Sequence, residues 1–122
     1  MLPITSTVAA LAAGGLIALS LPVSLRRMTV KQAIGIGDDP VLLRRIRAQG
    51  NFIEYVPIGL ILLALAELRG APQSLILATA GPMVIGRIAH AIGMLRGVNP
   101  MRRMGMMATF VSLLAGAAAQ FV

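Results

Sequence analysis

The first 25 residues carry no charged side chain, and the pair Arg26-Arg27 closes the run. As a helix rising about 1.5 Å per residue, such a run crosses a hydrocarbon core of about 30 Å. A cleaved signal peptide would begin with basic residues and have a shorter apolar centre. This run begins MLPITS and keeps its charge for the far side, so we expect it to be retained as a first membrane helix. The remainder agrees: 57% of residues are hydrophobic, 12% are charged, and the mean hydropathy is +0.87, outside the range of ordinary soluble domains. With no Trp, one Tyr and three Phe, anchoring at the interface falls to Arg and Lys rather than to aromatic belts. The absence of cysteine excludes a disulfide, a thiolate metal site and a protein thiol nucleophile. Any thiol chemistry must use a borrowed thiol.

Four helices are expected, over about 2–25, 41–68, 74–95 and 104–122, forming a single all-α integral membrane domain. Gly35, Gly37, Asp38, Asp39 and Pro40 make a bend before the second, with Asp39 as its N-cap and Pro40 at its first position. GIGDDP lacks the Lys-Ser/Thr of a phosphate loop. Pro57 and Gly81-Pro82 are expected kinks, GAPQ at 70–73 is a tight turn, and RGVNPMRR at 96–103 is read as a short basic loop. Gly14, Gly15, Gly81, Gly86, Gly93 and Gly116 are read as packing positions where helices approach closely.

The net charge of +7 could suggest nucleic acid, but there is no soluble basic domain and no aromatic interleaving. Topology explains it better. The segments after helices one and three hold Arg26, Arg27, Lys31, Arg44, Arg45, Arg47, Arg96, Arg102 and Arg103, nine of the eleven basic residues, whereas the turn after helix two holds Arg69. By the positive-inside rule both basic loops are cytoplasmic and both termini lie on the opposite face. Arg44 and Arg45 are expected at the headgroups, and Glu67 and Arg69 at a solvated helix end.

Polar chemistry enters the apolar pattern at RAQGNFIEYVP, residues 47–57. On a helix Arg47, Asn51, Glu54 and Tyr55 share about one third of the circumference, a face that would be costly against lipid and therefore should meet protein or a ligand. Its bland reading is a polar network gluing helices together. Glu54 and Arg87 lie at matched depths, roughly 10 to 12 Å from the basic side, which predicts an ion pair between helices two and three. Arg87, His90 and Met94 share a face of helix three. A lone His on an apolar helix is more often packed than catalytic, and no set of donors makes His90 a metal ligand. Met101, Met104, Met106 and Met107 are read as packing.

Together RAQGNFIEYVP at 47–57, GRIAHAIGM at 86–94 and SLRRM at 24–28 resemble the MAPEG family, the membrane-associated proteins of eicosanoid and glutathione metabolism. The resemblance spans the whole chain, and the R-x-Q-x-N-x-x-E-Y-x-P spacing is its specific part. It implies a homotrimer of four-helix subunits of bacterial inner-membrane type, with glutathione bound between neighbours near the cytosolic face. By resemblance, the ligand contacts are Arg26, Arg47, Gln49, Asn51, Glu54 and Tyr55. Gln49 points away from the others on an ideal helix, which a site shared between subunits or a bent helix end would reconcile.

Glutathione brings two carboxylates, an ammonium and a thiol. The implied site offers guanidinium groups for the carboxylates, Glu54 for the ammonium, and Asn51 and Tyr55 as neutral partners. Thiol activation falls, by resemblance, to Arg102 or Arg103: ungapped spacing from Arg87 favours Arg103, and the Pro-Met-Arg triplet favours Arg102. Lowering a thiol pKa from about 8.5 by two units takes about 2.7 kcal/mol. A guanidinium at about 4 Å with an effective dielectric near 20 supplies roughly 4 kcal/mol before desolvation. Met94 stands where active branches of the family often place a tyrosine, so a donor to the ligand is missing.

Three functions follow. The first is a glutathione-dependent transferase or peroxidase acting on lipophilic electrophiles delivered from the bilayer, with glutathione as cosubstrate and no metal. The second is a non-catalytic scaffold trimer that binds glutathione or lipid. The third is a small multidrug-type transporter, which would be expected to keep its carboxylate in helix one, where there is none.

Overall fold

The computed structural model describes residues 1–122 and contains four helices and no strand: α1 Pro3–Val30, α2 Pro40–Leu68, α3 Gln73–Arg96 and α4 Asn99–Ala118. Their order and number match the expectation, but two boundaries move. Helix α1 runs on to Val30, so Arg26 and Arg27 lie on its last turns rather than in a loop. Nothing before Lys31 breaks the helix; there Lys31 turns left-handed (φ +56°) and Gln32 N donates back to Arg27 O at 3.0 Å. Helix α4 starts at Asn99, not near 104, with Pro100 inside its first turn, where a missing N–H costs nothing. The basic loop expected over 96–103 is therefore only Gly97-Val98, and Arg102 and Arg103 are helical.

The helices differ in their apolar length. Three helices, α1 to α3, are long and apolar enough to cross a membrane. The uncharged part of α4, Met104 to Ala118, is about 22 Å long, short of the roughly 30 Å core. Helix α4 nonetheless runs back along α3 from the basic end to the opposite one, where Ala119 joins the apolar core.

Helix α2 starts as its sequence prescribes: Asp39 Oδ2 accepts from Leu42 N at 2.7 Å and Pro40 opens the helix. Pro57 and Pro82 lie inside uninterrupted helices, and so does Pro22 of α1.

The closest packing joins α3 to α4. A Cβ on Gly86 would stand 2.8 Å from Gly105 O, and one on Gly93 would collide with the backbone of Arg102. These backbones touch because neither helix carries a side chain there. Gly116 fits against Leu62 and Thr79, and Gly15 against the Phe52 ring. Gly14 and Gly81, also read as packing positions, meet nothing within 4 Å inside the chain.

At the end opposite the basic loops, Val8, Leu63, Ala66, Ile76, Ala80 and Ala119 form the apolar core. Glu67 belongs to this end, and it is not a solvated terminus. Its carboxylate accepts from Ile4 N at 3.1 Å and Thr5 N at 2.7 Å, capping the free amides of α1 with a negative charge where the helix dipole favours one. Gln120 Nε2 donates to Leu62 O at 3.1 Å and closes the C-terminus onto α2.

Candidate functional site

Helices α2, α3 and α4 converge on one buried guanidinium. Arg87 is 6% exposed, and its Nε and Nη2 both donate to Thr109 Oγ1, at 3.0 and 2.6 Å. Nη1 donates to Asn51 Oδ1, and Nη2 reaches Met106 Sδ at 3.5 Å. The Thr109 hydroxyl donates its own proton to Gly105 O at 2.8 Å, leaving its lone pairs free for Arg87. The Tyr55 ring covers the cation, 5.6 Å from Cζ to the ring centroid, and meets Phe110 edge-on at 5.9 Å.

The expected Glu54–Arg87 ion pair is absent. The chain's one ion pair is Arg26–Asp39, and Glu54 is exposed. Matching depth sets height along a helix but not direction around it. Asn51 and Tyr55, four residues apart, turn toward α3 and α4, while Glu54 lies on the neighbouring flank of α2. A neutral amide and a hydroxyl, not a carboxylate, therefore satisfy the buried cation. Thr109 was not among the candidates from sequence; its signal was a hydroxyl four residues after Gly105 in the uncharged part of α4, where the other is the fully buried Ser112, which donates to Thr79 O.

Beyond this network, toward the basic end, His90 lies one turn along α3 from Arg87 and is 3% exposed. Thr5 Oγ1 is the one buried side-chain polar atom sealed off without a partner. The His90 ring nitrogens and the Asn51 amide nitrogen donate to no group in the chain, yet they are not sealed off. Arg102 is half-buried, its backbone pressed against Gly93, whereas Arg103 is exposed and Met94 half-buried. Arg47 is exposed one turn before Asn51.

The structure brings Asn51, Tyr55 and Arg87 together, with His90 one turn further along α3, and besides Glu54 it leaves Gln49 and Arg26 outside that network. Gln49 Nε2 donates to Ser20 Oγ at 2.8 Å, on the α1 side of α2. Arg26 grips Asp39 in a bidentate pair at 2.9 and 2.8 Å. That pair, together with the Leu42 amide, holds the Asp39 carboxyl down at about 2.

Between α1, α2 and α3 runs a groove of about 310 Å³. Leu11, Phe52, Val56 and Ile88 line it, and Arg87 is the one charged residue on its wall. The buried polar network and the apolar groove thus share a single side chain.

A model of the MAPEG family matches residues 5–122. The chain belongs to the MAPEG family. Among its relatives, the inner membrane protein YecN of Escherichia coli K12 is 32% identical over 111 residues, covering 91% of this chain and 85% of YecN. The YecN of Escherichia coli O6:H1 matches to the same extent. This MAPEG chain is thus an integral membrane protein whose relative resides in an inner membrane, and the family to which it belongs includes glutathione transferases.

Proposed function

We propose that this MAPEG protein is a glutathione-dependent membrane transferase or peroxidase that turns the thiolate of glutathione on lipophilic electrophiles. The observation that carries the reading is the unpaired charge on facing helices: Arg87 is buried with no carboxylate partner, Arg102 presses its backbone against Gly93 one turn from His90, and Arg47 pairs with no carboxylate. Positive charge unpaired within a membrane protein calls for an anion. Glutathione supplies carboxylates for the guanidinium groups, an amide backbone for Asn51, and an ammonium for the unpaired Glu54. Arg102 is the better thiol activator, since it is half-buried beside α3 where its field is less screened, while Arg103 faces outward. The apolar groove behind Arg87 gives an electrophile from the bilayer a place to lie.

Exposed Arg47 and Glu54 on α2 support assembly. Charged side chains at that depth are not left facing lipid, and a second copy covering them would complete the site, in the homotrimer the resemblance implies. The basic connections would then face the cytoplasm.

The test is an ultraviolet difference spectrum of the purified protein mixed with glutathione. A thiolate band is expected in the wild type and in Arg103→Ala, and is expected to vanish in Arg102→Ala. No band in the wild type, with glutathione still bound, would favour a non-catalytic trimer. Met94 is the observation that supports this second reading, because a thioether cannot donate the hydrogen bond that a tyrosine would.

A further inference from the structure

The segment joining α1 to α2 displays two large apolar side chains that nothing in the chain covers. Ile34 is 85% exposed and Ile36 44%. The loop's own bonding fixes this exposure. Arg27 Nη1 donates to Gln32 O at 3.1 Å and to Gly35 O at 2.7 Å, and Gln32 Nε2 straps back onto Ile34 O. Gly35 and Gly37 both have positive φ, +79° and +60°, and a Cβ on Gly37 would strike Gln32 Oε1 at 2.8 Å. The backbone is thus locked in a shape only glycine adopts without strain, and the isoleucines cannot fold under it.

The same end of the molecule is strongly basic. Nine of eleven Lys and Arg residues belong to it, against Asp38 and Asp39, and Asp39 is already held by Arg26. Arg44 places its guanidinium 3.5 Å from where a Gly97 side chain would begin, so the two basic connections lie side by side. Helix α1 has 28 residues, about 42 Å at 1.5 Å each. That matches a bilayer including its headgroups, about 40–45 Å, and sets Lys31 and the loop at headgroup level.

We infer that the 31–37 loop is a membrane-surface anchor: Ile34 and Ile36 enter the interfacial zone of the basic-side leaflet, while Lys31 and its basic neighbours hold anionic headgroups. Apolar side chains framed by cations are the pattern such surfaces select. The anchor also steadies Asp39, and through it the start of α2, whose next turns carry Arg47 and Asn51. It does not depend on the thiol reading.

The chain has no tryptophan, so Ile34→Trp, with Ile36→Trp as a second variant, installs a single reporter. Each is reconstituted into bilayers with acyl chains brominated near the headgroup, with zwitterionic lipid alone or with added phosphatidylglycerol. The expected result is blue-shifted emission, several-fold quenching by the brominated lipid and little by aqueous acrylamide. The quenching should deepen as the anionic fraction rises, and Lys31→Gln should reduce that dependence. Emission typical of water with strong acrylamide quenching would overturn the inference, as would protection from both quenchers, which would mean that a second copy covers the loop. Quenching indifferent to lipid charge would overturn the headgroup half of it.

Discussion

Arg87 shows how one buried residue accommodates a full charge without a counter-charge. Its donors are spread over one hydroxyl, one amide oxygen, one thioether and an aromatic face, each too weak alone to replace water around a guanidinium. Removing one acceptor should therefore be felt. Thr109→Val keeps the volume but strands Nε and much of Nη2, and is expected to destabilise the protein by about 1–3 kcal/mol. Unfolding in mixed detergent micelles measures this, and a loss below a few tenths would mean that the network is replaceable. Asn51→Leu should cost a similar amount and also weaken glutathione binding, whereas Glu54→Gln, which touches no group in the chain, should leave stability unchanged and act on binding alone.

At the scale of the element, α3 and α4 depend on the absence of side chains at Gly86, Gly93 and Gly105. Gly93→Ala would push a methyl into the Arg102 backbone, with no flexible side-chain end to give way. We expect at least about 1–3 kcal/mol of destabilisation and, because Arg102 would be displaced, loss of the thiolate band. Gly81→Ala, with open space around it, should do neither. The start of α2 carries the pH dependence. Asp39 titrates at about 2 instead of its ordinary 3.8, so it binds a proton more readily in the unfolded chain. Its contribution to stability is complete above about pH 4 and drains away as pH falls toward 2. Replacing it by Asn retains a cap but removes the pair with Arg26. Asp39→Asn should therefore lower the neutral plateau toward the acid value and flatten the limb between them.

For the whole molecule, the prediction concerns assembly. A single chain leaves Arg47 and Glu54 on an uncovered flank of α2, and cross-linking in native membranes should give trimers; a strictly monomeric protein would remove the shared site. The linear pattern already determined much of this. The uncharged run before Arg26, the Asp39-Pro40 start and the asymmetric placement of arginines are local or additive properties, and they are sufficient for the helices and for membrane insertion. The spacing of Arg47, Asn51, Glu54 and Tyr55 pointed to the polar side of α2 from which Asn51 and Tyr55 reach Arg87. What one dimension could not supply was direction around each helix axis and the partners across interfaces. Depth suggested that Arg87 would meet Glu54, yet rotation of α2 handed it Asn51 instead. Thr109 entered the site because two glycine surfaces let α4 press against α3, and Glu67, read as a solvated end, became the cap of a helix more than sixty residues away in sequence. Helix formation obeys a short-range period, whereas the choice among buried partners depends on how close two backbones can come, and only packing decides that.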